Sequence, residues 1–476
     1  MELATASRGR DLRPPLTSHM RGMTSPELYV FMLAVALCGY LFFNRPFAYL
    51  GVPGTPIFLG EILLGAGLAL VFRRRSMVLP TLLRSPPLEA LLLLLALGTA
   101  RLLLDLPEYG LLAVRDAALL YYSLFALVVA VVLRTNPPFL DLLMTWYVRI
   151  LPWFLGWAGV AVVINRRFSW YGPTMPGTDV AVLGFKPGDL GVHAAIGLSF
   201  VWLCCKAPTV RAQRLRLLAT AAALGSVLIA GTTNRGAIVS AALILGGTAL
   251  AAPRHRSFAG TTLGVLLLLV ALVAVTDARI DVDGREVSLP QFVENVGTLM
   301  GGEGSTEGMQ QGTVRWRLSY WGEIGQDTLA GRNGPLGLGF GPNLADHYGY
   351  QVSFDTEQRL RNAHNSHMTL LARLGLPGLA LWLLFWSVWG KSMFDGRRRA
   401  APGTRQWRLA AWLSLSVLGM LVNAVFDPTL EGPQTALWLW TLVGIGCALP
   451  WMRQPEDPST GLTAESGPSQ RSRIRP

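Results

Sequence analysis

Charged residues are scarce in this sequence. Only 15% of its 476 residues are Asp, Glu, Lys or Arg, 51% are hydrophobic, and mean hydropathy is +0.40. Soluble domains average roughly 25% charged residues, so a soluble globular chain is excluded and a polytopic membrane protein is predicted. The net charge of +12 comes from basic residues in short loops between apolar runs. Topology explains them better than nucleic-acid binding, and we expect no nucleic-acid partner.

Cysteine is also rare, and internal repeats are not evident. The four cysteines all lie inside or at the edge of apolar segments: Cys38, Cys204, Cys205 and Cys447. This placement supports neither a disulfide framework nor a cysteine-based zinc site. Many secondary transporters are built from repeated halves with charged groups near the midplane of the membrane. Because the chain shows neither feature, a transporter or lipid flippase stays an alternative but is not the favoured interpretation.

Apolar stretches long enough to cross a bilayer occur twelve times. They lie at about 28–44, 57–72, 88–104, 111–133, 139–164, 190–205, 215–231, 236–252, 258–276, 367–390, 407–426 and 434–452. The sequence therefore predicts an all-α, polytopic integral membrane protein with about twelve transmembrane helices. The stretches 111–133 and 139–164 are the weakest, because charges or a proline interrupt them.

The distribution of Lys and Arg predicts the orientation of the chain. Loops on one side carry arginines, as at 73–75 and 397–399, whereas the short opposite loops 105–110 and 427–433 carry no Lys or Arg. By the positive-inside rule both termini are cytoplasmic. The predicted organisation is a disordered cytoplasmic tail, helices 1–9, a long periplasmic loop, helices 10–12 and a second disordered cytoplasmic tail, at 1–27, 28–276, 277–366, 367–452 and 453–476.

The most informative stretch is 361–378, RNAHNSHMTLLARLGLPG, where the polar loop ends and an apolar helix begins. Asn362, Asn365 and Ser366 are capping residues, which places His364 at or just outside the first helical turn. Gly375 and Pro377 predict a kink about three turns into the helix. A helix N-terminus favours neutral imidazole and bound anions, so this junction suits a proton acceptor beside a phosphate.

The junction resembles the signature of the O-antigen ligase and O-antigen polymerase superfamily: His-Asn, nine residues, then Gly-x-x-Gly. Here the signature is His364-Asn365, nine residues, and Gly375-Leu376-Pro377-Gly378. Arg235-Gly236, at the start of the eighth predicted span, is similar to an Arg-Gly pair in that family. Arg317 and Trp321, within the amphipathic segment 314–329, resemble its Arg-x-x-x-Trp element, which precedes a Gly-rich turn. Members have a GT-C-like fold, which the resemblance implies here.

The resemblance implies roles for these residues. His364 would be catalytic, and Arg235 and Arg317 would bind a substrate diphosphate, for which guanidinium groups are well suited. Without the resemblance, interfacial anchors explain both arginines and an ordinary interfacial histidine explains His364. Segment 314–329, with its Trp and Tyr side chains, suits a helix lying at the membrane interface.

Several further residues are possible supporting members of the site. They are Arg315, Asn365, His367 and Glu431, the last of these in the final outer loop. Glu431 could orient His364 or an acceptor sugar, or only cap the last span. His364 and His367 could form a metal pair, but no acid lies within the motif to complete it, so we predict no metal and no cofactor. We interpret Arg101 with Asp105, and Arg115 with Asp116, as structural ion pairs.

The resemblance implies an inverting, metal-independent glycosyltransferase with a polyprenyl-diphosphate-linked glycan as donor. The expected activity is O-antigen ligase-type transfer to a sugar hydroxyl of lipid A–core. The alternative is an O-antigen or exopolysaccharide polymerase that uses a lipid-linked repeat as acceptor. The expected location is the bacterial inner membrane, with membrane lipids as further partners and the active site facing the periplasm, since the long loop and His364 fall on that side.

Overall fold

The computed structural model describes residues 2–3, 23–52, 54–82, 84–168, 172–176, 178, 180–252, 255–276, 280–282, 285–299, 309–331, 336–351 and 359–452. The predicted disordered tails lie almost entirely outside these described residues. So do parts of the long loop, among them 300–308.

The described chain is mostly helical. Its helices are α1 (Ser25–Phe47), α2 (Leu59–Arg73), α3 (Arg75–Leu82), α4 (Pro86–Tyr109), α5 (Leu111–Asp116), α6 (Ala118–Tyr121), α7 (Leu124–Thr135), α8 (Pro138–Phe168), α9 (Pro187–Leu203), α10 (Val210–Gly231), α11 (Arg235–Ala251), α12 (His255–Thr276), α13 (Leu289–Leu299), α14 (Met309–Ala330), α15 (Leu344–His347), α16 (Ser366–Arg399), α17 (Arg405–Phe426) and α18 (Pro433–Ala448), followed by a 3₁₀ turn at Leu449–Trp451. Two short antiparallel ribbons complete the described structure, β1 (Glu2–Leu3) with β2 (Cys205–Lys206), and β3 (Ile280–Val282) with β4 (Arg285–Val287).

Eight helices in the described residues are long and apolar enough to cross a membrane. They coincide with the predicted spans 28–44, 88–104, 111–133, 139–164, 215–231, 258–276, 367–390 and 407–426. The other four predicted spans coincide with the shorter helices α2, α9, α11 and α18, which have 15, 17, 17 and 16 residues. The prediction of a polytopic all-α membrane protein is confirmed, whereas the count of twelve spans is not established.

Burial separates central helices from peripheral ones. Residues 188–203 of α9 and 434–448 of α18 are buried on every side, as expected for helices that are apolar all round and surrounded by others. α9 packs against α8, α10, α11 and α17, and α18 packs against α7. In α12, by contrast, only 11% of the apolar window is buried. Its leucines face outward, which suits a helix surrounded by lipid.

Two of the helices are broken where the sequence predicts irregularity. In α16, Gly375 has φ 62° and ψ −158°, a conformation that glycine tolerates, so the kink predicted at Gly375 and Pro377 is confirmed. Stretch 111–133 is divided into α5, α6 and most of α7. Asp116 ends α5, and its carboxylate is used in long-range contacts described below.

Several helix termini contact one another at one end of the bundle. Asn44 near the end of α1 accepts the backbone N–H of Lys186, just before α9, at 2.8 Å. A Cβ on Gly188 would lie 2.6 Å from the Asn234 side chain, which precedes α11. The Leu430 N–H, before α18, donates to the Ser366 hydroxyl at the start of α16. We call this the site end, because it carries the residues singled out by the sequence.

Candidate functional site

The start of α16 fixes His364 outside the helix. The Asn365 side chain caps it by accepting the backbone N–H groups of His367 and Met368 at 2.9 and 3.2 Å, which typically stabilises a helix by about 1 kcal/mol. His364 has φ 49°, in the left-handed region that costs a non-glycine residue about 1–2 kcal/mol. The predicted cap and the position of His364 are therefore confirmed, and the backbone turns sharply at the histidine.

Helix α14 packs against α16 and places aromatic side chains next to the turn at His364. The Trp321 indole N–H donates to the Ala363 carbonyl at 2.8 Å, and the Trp316 ring meets the His364 ring edge-on at 6.0 Å between centroids. Tyr320 is buried in a small core that includes Leu344 and Ala372. The aromatic side chains predicted to lie at the membrane interface therefore contact protein, because one face of α14 packs against α16.

Arg317 follows Trp316 on α14 and reaches the end of α17. Its Nη1 donates to the Phe426 carbonyl oxygen at 2.9 Å. Its Nε is buried and has no hydrogen-bond partner among the described residues. Burial lowers the pKa of Arg317, opposed by Asp427 and reinforced by Arg235, but a guanidinium keeps its charge at neutral pH. Among the described residues the guanidinium bonds one carbonyl oxygen and no carboxylate, so it keeps hydrogen-bonding capacity that suits an anionic ligand.

Arg235 begins α11 at the same end of the bundle. Asn234 caps that helix by accepting the backbone N–H of Ala237 at 3.0 Å. Gly236 allows close approach to α17, since a Cβ there would lie 2.8 Å from the Phe426 Cβ. The start of α11 and the Arg317 guanidinium therefore both lie against Phe426, and the positive charge of Arg235 lowers the pKa of Arg317. We call Phe426 and Asp427 the 426–427 hub.

Lys186 approaches the 426–427 hub from a third direction. Its ammonium nitrogen lies 3.7 Å from Asp427 Oδ1, with 22% of each side chain exposed. Burial lowers the pKa of Lys186, but Asp427 and Asp189 outweigh it, so the net shift is upward. Asp189 itself is held by the side-chain amides of Asn423 and Asn44 at 3.1 and 3.4 Å. A network of buried polar groups thus supports the hub from behind.

His364 is electrostatically part of the same group. Burial lowers its pKa to about 4, Asp427 raises it, and Arg317 and Lys186 lower it further. The sequence predicts a neutral imidazole from the helix N-terminus. The direction agrees, but the cause differs: burial lowers the pKa of His364, and the charges of Arg317 and Lys186 add to it. A neutral histidine beside cations can accept a proton at pH 7, and a neighbouring carboxylate can stabilise the imidazolium that results.

His367, three residues later, has both ring nitrogens engaged. Nδ1 accepts from the Trp382 indole N–H at 3.0 Å, and Nε2 lies 3.0 Å from the Leu421 carbonyl oxygen. The first contact fixes the tautomer, because Nδ1 must be the acceptor and Nε2 the donor. His367 is thus committed to joining α16 with α17. The described residues contain no group of three or more His, Cys, Asp or Glu arranged to hold a metal.

Glu431 lies behind the His364 turn. Burial raises its pKa to about 7, against the lowering effects of a hydrogen bond from Thr369 and of the Arg373 charge. Its Oε1 has no partner among the described residues. Thr369 also accepts the backbone N–H of Ala363 at 3.4 Å, so one hydroxyl connects Glu431 to the residue before His364. Among the described residues, Thr369 therefore links Glu431 to the His364 turn.

The Gly-rich turn 337–341 is held by a second group of charges, which we call the clamp: Asp105, Asp116, Arg361 and Arg373. Asp116 Oδ2 accepts from Arg361, Arg373 and the Gly341 N–H at 3.3, 2.8 and 3.0 Å. Asp105 Oδ2 accepts from Arg101 Nε and the Phe340 N–H at 2.9 and 2.7 Å. The predicted pair of Arg101 with Asp105 is confirmed, whereas Asp116 bonds to Arg361 and Arg373 from the distant half of the chain.

The structure thus brings Arg235, Arg317 and His364 together. Arg315 is exposed on α14, and Asn365 serves as the helix cap. Sequence reasoning missed Lys186 and Asp189, although Lys186-Pro187-Gly188-Asp189 has the proline and acid that mark a helix start. It also gave Asp427 no role, because nothing local indicates that this residue pairs with Lys186 and acts on Arg317, both of which lie far away in the sequence.

This arrangement defines a class of protein: a polytopic helical membrane protein with a cationic site and a neutral histidine at one end of its bundle. Residues 220–383 match the protein-family model described as O-antigen ligase. The resemblance to the O-antigen ligase superfamily is therefore confirmed over this region, which contains Arg235, Arg317, His364 and the Gly375–Gly378 motif. A search of curated proteins finds no match.

Proposed function

We propose that this protein is an O-antigen ligase-type glycosyltransferase, which moves a glycan from a polyprenyl-diphosphate carrier to a hydroxyl of an acceptor sugar. The observation that carries the proposal is that Arg317 bonds to the 426–427 hub, where α11 begins with Arg235, and that the His364 ring packs against Trp316, the neighbour of Arg317. Guanidinium groups suit the oxygens of a diphosphate, and the lipid tail of the donor would stay in the bilayer.

The chemistry asks little of the protein beyond positioning, charge and a proton acceptor. The acceptor hydroxyl attacks the anomeric carbon, the bond from that carbon to the diphosphate oxygen breaks, and polyprenyl diphosphate leaves. A single displacement inverts the anomeric centre. The hydroxyl proton goes to His364, which is neutral because its pKa is about 4. The arginines stabilise the negative charge that develops on the leaving diphosphate, a contact worth about 3–4 kcal/mol, so the reaction needs no metal.

We further propose twelve spans with both termini in the cytoplasm of a bacterial inner membrane, and 277–366 as a periplasmic loop. Reporter fusions after Arg75, Lys206 and Arg399 should then report cytoplasm, and fusions near Gly308 and Gly432 should report the outer side. A cytoplasmic signal at Gly308 would contradict the orientation, because the site would then face away from an acceptor on the outer side.

The acceptor separates ligation from polymerisation. We favour lipid A–core as acceptor, since one dominant long loop near the C-terminal third leans towards the ligase pattern. A polymerase would use a second lipid-linked repeat with the same site. Deleting the gene and examining the envelope glycans separates the two. Loss of a ligase leaves lipid-linked polymer that is not attached to core, whereas loss of a polymerase leaves single repeats.

The direct test of transfer is reconstitution of the purified full-length chain with a lipid-linked glycan donor and a candidate acceptor. We expect transfer, with inversion at the anomeric carbon, at a rate that a chelator leaves unchanged. A transporter or flippase would move the donor across proteoliposomes without forming a glycosidic bond. That result would replace the proposal, but the gathering of the candidate residues at one end of the bundle favours transfer.

A further inference from the structure

Lys186 stands out because it is a cation at the site with only one weak protein partner for its ammonium. The 3.7 Å separation from Asp427 Oδ1 exceeds the 2.7–2.9 Å expected of a charge-assisted hydrogen bond. Among the described residues, no hydrogen bond from the ammonium accompanies this ion pair. An ammonium has three donors, so most of its hydrogen-bonding capacity is open, and the side chain is only 22% exposed.

The backbone around Lys186 is fixed, so the direction in which its side chain leaves the main chain is set. Its N–H is bonded to the buried Asn44 side chain at 2.8 Å, and Pro187 follows at the first position of α9, where its restricted φ suits the helix start. Gly188 has no side chain and lets α9 approach the Asn234 cap of α11. Lys186 and Arg235 therefore extend from two adjacent helix starts.

The net charge of the site is positive, which suits a dianionic ligand. Lys186, Arg235 and Arg317 contribute three positive charges around the hub, and Asp427 contributes one negative charge, while His364 is neutral. The other charged groups that act on Lys186 are Asp189, Arg45 and Glu431. Asp189 is already bonded to two amides, as described above. The cations at this end of the bundle outnumber the one carboxylate of the hub, and two arginines alone leave the second phosphate of a diphosphate with fewer partners.

We propose that Lys186 is a third cationic ligand of the donor's diphosphate, and that Asp427 holds its ammonium in position until the donor binds. This inference rests on the proposed function and names a further binding residue for it. A phosphate oxygen would replace the long contact to Asp427 with a short hydrogen bond. A diphosphate offers a second phosphate for Lys186 to bind, whereas a monophosphate does not. Lys186 therefore favours binding of a diphosphate over binding of a monophosphate.

The test compares farnesyl diphosphate and farnesyl monophosphate binding to the purified full-length chain in detergent. Wild type should bind the diphosphate more tightly. Lys186→Met, which keeps the aliphatic stem, should weaken diphosphate binding by about tenfold or more and monophosphate binding much less. Lys186→Arg should keep the preference. Lys206→Met, which removes an exposed lysine far from α9's start, is the matched control and should bind like wild type.

A double-mutant cycle separates ligand binding from a purely structural ion pair. If Lys186 only balances Asp427, then Asp427→Asn should weaken binding as much as Lys186→Met, and the double variant should be no worse. We expect instead that Asp427→Asn binds farnesyl diphosphate at least as tightly as wild type. If Lys186→Met does not fold, Asp427→Asn alone decides between the two accounts, because only the ion-pair account predicts that it weakens binding.

The outcomes also distinguish this inference from the proposed function. An unchanged diphosphate preference in Lys186→Met, together with weak binding by Arg317→Ala, would overturn the inference and leave the function standing. Wild-type diphosphate binding by Arg317→Ala as well would overturn the function itself, because the arginines would then have no diphosphate to hold.

Discussion

The two charged groups at the site end, the clamp and the 426–427 hub, differ in how completely their charges are satisfied. In the clamp, the Asp116 carboxylate accepts from three donors, and both terminal nitrogens of Arg373 are bonded, with Arg373 only 2% exposed. At the hub, the Lys186 ammonium makes one pair at 3.7 Å, and the Arg317 guanidinium bonds a backbone carbonyl oxygen and no carboxylate among the described residues. An Nε without a partner occurs in both groups, on Arg317, Arg361 and Arg373, so the contrast lies in the carboxylate partners. Charges that are bonded within the protein stabilise a turn, whereas charges left open are available to a ligand.

The largest effect should come from His364. We expect His364→Ala to lower kcat for glycan transfer by about 10²–10⁴-fold, the usual contribution of a general base. His364→Gln, which keeps hydrogen bonding but cannot take the proton, should be nearly as slow. If Gln retains most of the activity, His364 only positions the acceptor, and the proton leaves by Glu431, by water or with the diphosphate. His367→Ala is the matched control and should be much milder, because both of its ring nitrogens are already engaged in joining α16 to α17.

Arg317→Ala should lower kcat/KM for the donor by about 10²–10³-fold, because it removes a charge that stabilises the leaving diphosphate. Arg235→Ala should act in the same direction, and both variants should still accumulate in the membrane. Lys replacements should recover only part of the rate, since Lys lacks the bidentate fork. Arg315→Ala, on the exposed side of the same helix, is the control. Full activity of Arg317→Ala would show that Arg317 only contacts α17 and has no role in binding the donor.

Substitutions in the clamp should lower the stability of the protein rather than its affinity for the donor. Asp116→Asn leaves the buried Arg373 without its carboxylate, and breaking such a pair typically costs about 3–5 kcal/mol. Thermal unfolding in detergent should show a clear loss, while the folded fraction should bind farnesyl diphosphate like wild type. Asp346→Asn breaks an exposed pair with Arg359 and should change stability by less than about 1 kcal/mol. A weak diphosphate affinity in folded Asp116→Asn would erase the distinction between clamp and hub.

The smallest effect should be a displacement of the pH profile. The base must be unprotonated, so activity falls as pH falls through the pKa of His364. In the free enzyme that pKa is lowered to about 4, so the acid limb of kcat/KM should lie well below pH 6.5. The acid limb of kcat, which reports the enzyme with donor bound, should lie at higher pH than the acid limb of kcat/KM, because a bound diphosphate favours the imidazolium form of His364. The acid limb attributed to His364 should disappear in His364→Gln, and an unchanged limb would assign it to another group.

Local features of the site could be predicted from the sequence, because short-range patterns determine them. Asn365 as a cap and the kink at Gly375 depend only on neighbouring residues, and both are confirmed. The partners of Asp116 could not be predicted, since Arg361 lies 245 residues away and the neighbouring Arg115 suggested a local pair. Lys186 was missed for the same reason. Its meeting with Asp427 depends on the packing of α9 against α17, which hydropathy does not reveal.

The measurement that tests the central claim most directly is donor affinity in the His364→Ala variant, beside that of Arg317→Ala. The account assigns the diphosphate to the cations and the proton to His364. The dissociation constant for a lipid-linked donor should therefore stay within about twofold of wild type in His364→Ala, an energy difference near 0.4 kcal/mol, while transfer is lost. In Arg317→Ala the affinity itself should fall. Equal losses of affinity in both variants would contradict this division, and a chelator-sensitive affinity would replace it with a metal site.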